Sequence, residues 1–143
     1  MSYWSSTGKY QKAYDYFYDK LVPSQGKAQT DEGELLRLVS KFYYRHYNDG
    51  DSYYSCMEDW GFPNISKTIK NIDEKIVDKI ESYLDSGYYN RAADYTIRYI
   101  MLKNSNDTHI WNPDTNRLVS IRTPKGQQCV KLLDCKLVYD IIL

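Results

Sequence analysis

Between residues 65 and 83 the apolar residues Ile65, Ile69, Ile72, Ile76, Ile80 and Tyr83 recur every three or four positions, with Lys, Asp and Glu between them. That is the period of an α-helix, where such residues share one face; a strand would alternate every second residue. The ladder predicts a single helix of about five turns, ended at Gly87, where a glycine can take the left-handed conformation. Three more segments keep the same spacing. Tyr10, Tyr14, Phe17, Tyr18 and Leu21 mark the first, with Thr7 as N-cap and Pro23 as stop. The second opens on Asp31 with Glu34 three residues on, like a capping box. It carries Leu35, Val39, Phe42 and His46 in one stripe, widened by Leu36 and Tyr43, and stops at Gly50. The last runs from Tyr89 to Lys103, with Ala93, Ile97, Ile100 and Met101 inward. A short helix is expected over residues 53–59, capped by Asp51 and ended by Gly61 and Pro63.

After Asn104 the helical period stops. Turn signals at Asn112-Pro113-Asp114 and Thr123-Pro124-Lys125-Gly126 bracket short stretches, Arg117–Ile121 and Cys129–Leu133, that read as strands. His109 falls in the loop before them. The expected fold is mainly α (α+β): one domain over residues 1–143. Four to five helices pack as one body over 1–104, and a small C-terminal β-hairpin or meander covers 105–143. Lys136–Leu143 ends on Ile141, Ile142 and Leu143, which need cover from this chain or from a second copy. A homodimer through that strand is therefore expected.

Nineteen basic and nineteen acidic residues cancel, and they cancel within each half of the chain as well. Duplex-binding modules carry a large basic excess, so that class loses ground. No apolar run reaches the roughly 18 residues of a membrane span, and the first residues lack a secretory core. The expected location is the cytoplasm. Three cysteines, Cys56, Cys129 and Cys135, are an odd number without CxxC spacing, which argues for reduced thiols rather than disulfides or structural zinc. Tyrosine is abundant, sixteen residues against three Phe and three Trp. Its apolar ring and polar tip suit both wet cores and interfaces.

The candidate sites start with NDGD at 48–51. An EF-hand with Gly50 at its sixth position would place Arg45 first and Cys56 last, and neither is a ligand. His46 with Asp49 has the chemistry for a metal-assisted hydrolase, but a lone His on an apolar stripe reads better as a core residue. SQGKAQT lacks the first glycine of a phosphate loop, and no nucleophile motif is present. What remains is a charge pattern. Arg37, Lys41 and Arg45 recur every four residues and form a basic ridge beside Tyr44, with Asp49, Asp51, Glu58 and Asp59 directly after. Tyr3, Tyr16, Tyr44, Tyr53, Tyr54, Tyr88 and Tyr95 have no inward place in the helical stripes. Arg37, Lys41, Tyr44, Arg45, Tyr53 and Tyr54 are the expected contact surface for a partner.

The stretch from Lys20 to Asp51 reads VP-x-x-G-x-A-x-T-x-x-G-E-x-L-R and then Y-N-D-G-D. It resembles a pattern in small uncharacterised proteins of bacteriophages and other mobile elements, over roughly a quarter of the chain. The resemblance carries no activity; it implies a viral context, in which small proteins often bind host factors. The expected function is a non-enzymatic, cofactor-free protein–protein interaction factor, such as a phage accessory protein that modulates a host or viral protein, for example a defence-system component. The partner is an unidentified protein, met in the host cytoplasm if a phage encodes the chain. A single-stranded nucleic-acid binder using the same ridge, not favoured by the zero net charge, and the His46/Asp49 hydrolase stay open as alternatives.

Overall fold

The computed structural model describes residues 9–133. In chain order it has α1 (Gln11–Leu21), α2 (Asp31–Asp49), α3 (Tyr53–Trp60), α4 (Ile65–Thr68), α5 (Glu74–Asp85) and α6 (Tyr89–Lys103). Strands β1 (His109–Asn112) and β2 (Arg117–Ser120) and helix α7 (Pro124–Leu132) follow. The molecule is mainly helical with a small antiparallel hairpin, as the periodicity predicts, although the described residues form more helices than four or five. None of those helices is long and apolar enough to cross a membrane.

At the centre α2 lies against α6, with α5 also packed on α6 and α1 packed on α2. The apolar stripes meet there: Leu35, Val39 and Phe42 from α2, Ile97 and Ile100 from α6, Ile76 and Ile80 from α5, and Ala13 and Phe17 from α1 are all essentially inaccessible. One continuous apolar cluster joins them to Ile110, Trp111, Cys129 and Leu133 of the C-terminal elements. The rings of Tyr95 and Tyr53, unassigned by the stripes, are buried in it as well.

Several boundaries differ from expectation, each for a local reason. The N-cap of α2 is Thr30, not Asp31: Thr30 is extended (φ −115°, ψ 157°) and its side chain accepts the Gly33 N–H. Glu34 is then one position too late for a capping box, and its carboxylate accepts the Ala28 N–H instead, at 3.2 Å. Likewise Ser52, not Asp51, caps α3 by accepting the Ser55 N–H. Gly50 and Gly61 do take the left-handed conformation that ends α2 and α3, at φ 75° and 67°.

The isoleucine ladder is two helices rather than one. Asn64 caps α4 through the Ser66 and Lys67 N–H groups, and Asp73 caps α5 through Lys75 N–H at 2.8 Å. Ile69 and Ile72, in the break, remain buried. The apolar spacing therefore reports burial, while the Asx side chains offer the backbone a non-helical partner and let the chain turn.

At the C-terminal end Arg117–Ser120 is a strand, but its partner is the upstream His109–Asn112. Ile110 pairs with Val119 and Trp111 with Leu118. Cys129–Leu133 is not a strand. Thr123 accepts the Gly126 N–H at 3.0 Å and Pro124 occupies the first turn, so the supposed turn opens α7. A Cβ on Gly126 would drive into the Ser120 carbonyl, which is why α7 can lie this close to β2. Thr7, Tyr3, Cys135 and the Lys136–Leu143 strand with its pairing lie outside the described residues.

Candidate functional site

The ridge on α2 is present, and each of its three cations has a different environment. Arg37 forks onto the buried Glu34, Nε to Oε1 at 2.7 Å and Nη2 to Oε2 at 2.8 Å. That pairing holds the Glu34 carboxyl below its usual range, against the opposing effect of burial. Arg45 pairs with exposed Asp49 (Nη1 to Oδ2, 2.8 Å) and lays its guanidinium 4.2 Å above the Trp60 ring. Lys41, between them, has no carboxylate within ion-pair distance among the described residues. Its ammonium rests 4.1 Å above the Phe62 ring. Partial burial lowers the Lys41 pKa, and the charges of Arg37 and Arg45 lower it further.

Helix α3 divides the expected contact residues. Tyr53 is buried: its ring lies 4.7 Å from Phe42, and its hydroxyl donates to Glu81 Oε2 at 2.9 Å. It belongs to the core, because the first turn of α3 faces α2 and α5. Tyr54, one residue on, points to water and is 65% exposed. Trp60, which the helical spacing did not single out, is 55% exposed at the end of α3 and in contact with Arg45. The signal for it was available: a tryptophan just before a helix-ending glycine, outside any apolar stripe.

Below the ridge, Tyr44, Ser40, Lys41 and Arg37 form one wall of a groove of about 280 Å³. The other wall is Tyr18 and Val22 at the end of α1 and the connector Pro23–Gly26. Ser40 is held from behind by a 2.6 Å hydrogen bond with the Tyr14 hydroxyl. The connector therefore has a defined place beside the basic face.

The His46/Asp49 pair is not assembled. His46 stacks on Tyr89 with ring centres 4.0 Å apart and planes 11° from parallel, and its Nδ1 lies 3.2 Å from the Asp51 carbonyl. The Asp49 carboxylate is turned to Arg45. No three His, Cys, Asp or Glu side chains converge on one point among the described residues. Cys56 and Cys129 are buried thiols, and burial raises the pKa of both. No protein-family model matches the chain, and no curated protein or solved structure is significantly similar to it.

Proposed function

We propose that this chain is a non-enzymatic interaction factor that binds an acidic segment of a partner protein through the α2–α3 surface. Its setting would be the cytoplasm, that of the host if the chain is carried by a phage. The observation that carries the reading is the exposed Trp60 ring held under Arg45. Trp, Tyr and Arg dominate the residues whose loss weakens protein interfaces most, and a large apolar ring left in water gains most from being covered. Lys41 and Tyr54 extend the same chemistry on α2 and α3.

Purification with the chain as bait should recover a specific protein. Trp60→Ala should weaken that complex by about 2 kcal/mol, roughly thirty-fold in Kd, without changing the circular dichroism of the free chain. If no partner is retained, or Trp60→Ala binds it equally well, the reading fails.

A single-stranded nucleic-acid binder is the second reading, supported by Lys41, which lies beside Tyr44 and has no carboxylate within ion-pair distance among the described residues. Charge pairing weakens it, because Glu34 and Asp49 already neutralise Arg37 and Arg45. If Lys41 is the ridge's main phosphate contact, the expected slope of log K on log salt is only about −0.7. A steeper slope on a mixed oligonucleotide pool would favour nucleic acid over protein. The hydrolase reading has no observation in its favour, since His46 and Asp49 are both engaged by other groups.

A further inference from the structure

We propose that the groove between α1, the connector and α2 is a binding site for a small phosphate monoester that also bears an aromatic group. This goes beyond the partner-binding surface, with which the groove shares Lys41 but not Trp60, the residue that carries that reading. The argument begins with Arg37. Glu34 takes its Nε–H and one Nη2–H, so among the described residues the Nη1 hydrogens are not used by Glu34, and Arg37 is one of the residues that line the groove. Glu34 is itself 3% exposed and tied to the Ala28 N–H, so the guanidinium is fixed before any ligand arrives. Preorganised, planar donors of this kind match phosphate oxygens.

Lys41 adds the second cation, one helical turn along the same wall. Its resting contact with the Phe62 face is weaker than a pairing with a dianion, and its four-carbon stem can swing toward one. Glu34 offsets Arg37, so the groove keeps about one net positive charge to attract the anion.

The remaining walls select the rest of the ligand. Tyr18 and Tyr44 bring aromatic surface from the two helices, and Val22 and Pro23 add apolar surface. A volume of about 280 Å³ lies just below the ~300–1,000 Å³ range for small-molecule sites. That scale suits one aromatic group and one phosphate, as in a mononucleotide or a phosphorylated tyrosine, rather than a dinucleotide cofactor. Two sources share this chemistry, a free nucleoside monophosphate and a phosphorylated tyrosine of another protein.

The test is a titration of the full chain, by calorimetry and by amide shifts, with adenosine monophosphate, N-acetyl-phosphotyrosine amide and inorganic phosphate. One of the two ring-bearing probes should bind at least about tenfold tighter than inorganic phosphate and shift the amides of Arg37, Ser40, Lys41 and Tyr44. The tighter of the two identifies the source. Lys41→Gln should weaken that binding by about tenfold or more, and Arg37→Lys, which keeps a cation for Glu34 but removes the fork, by a similar factor. Lys103→Gln removes an equal charge from an exposed site on α6 and should change nothing. Three results would overturn the proposal: no binding of either ring-bearing probe at millimolar concentration, binding no tighter than inorganic phosphate, or binding that a folded Lys41→Gln chain retains in full.

Discussion

Asp94, on α6, has an Oδ1 with no hydrogen-bond partner among the described residues, and burial pushes its carboxyl up to about 6 against the opposing charges of Arg98 and Lys9. The folded chain therefore holds a proton that the unfolded chain has already released. This favours folding fully below the ordinary value of 3.8 and is lost as the pH rises through about 6. Asp94→Asn should flatten the fall in stability over that window. At pH 7 it should stabilise the chain by about 1 kcal/mol, less than the full linkage because the side chain is partly exposed. Urea unfolding at pH 4 and pH 7 measures both effects, and a less stable variant at pH 7 would contradict them. Among single residues, His46 was only partly readable from its place on the apolar stripe: it stacks on the buried Tyr89 but is itself half-buried rather than a core residue. The neighbours Tyr53 and Tyr54 were not readable: on a helix of 8 residues, composition gives no hint which ring turns inward.

At the scale of elements, caps and close approaches decided what periodicity left open. The Thr-Pro pair at 123–124 fits both a turn and a helix start, and the tertiary position of α7 against the hairpin selects the second. That selection depends on Gly126, which has room for no side chain beside the Ser120 carbonyl. Gly126→Ala should destabilise the chain by about 1–3 kcal/mol, the usual range for overpacking a tight contact, even though alanine favours helix intrinsically. Denaturant unfolding checks this; a neutral or stabilising result would mean that α7 can move off β2 at little cost.

For the whole molecule, the C-terminal elements close back on the first helix. Trp111 lies 4.9 Å from Phe17 and 5.6 Å from Tyr16 between ring centres. The Tyr10 hydroxyl donates to the Leu132 carbonyl at 2.9 Å, and the Asn116 amide donates to the Lys12 carbonyl at 3.2 Å. The hairpin is thus part of the same apolar cluster as the helices, not an appendage to them. Trp111→Ala should cost about 3–5 kcal/mol, the range for emptying a buried aromatic site. It should also loosen α1 together with the hairpin. Hydrogen exchange can test the coupling: protection lost in the hairpin alone would show two independent units.

Local chemistry along the chain was enough to determine the helical class, the four amphipathic stripes, the left-handed glycines that end α2 and α3, and the basic ridge on α2. Each depends on residues within a turn or two of one another, so spacing alone reveals it. The tertiary structure decided what depends on distant partners. It broke the isoleucine ladder at Asp73 while keeping every isoleucine buried, paired His109–Asn112 with a strand whose expected partner became α7, and turned Tyr53 inward. It also set the connector 23–26 against Arg37 and Lys41, making a groove from segments that look unrelated in sequence. The physical reason is common to all of these: apolar spacing states which side chains must leave water, but not which surface receives them.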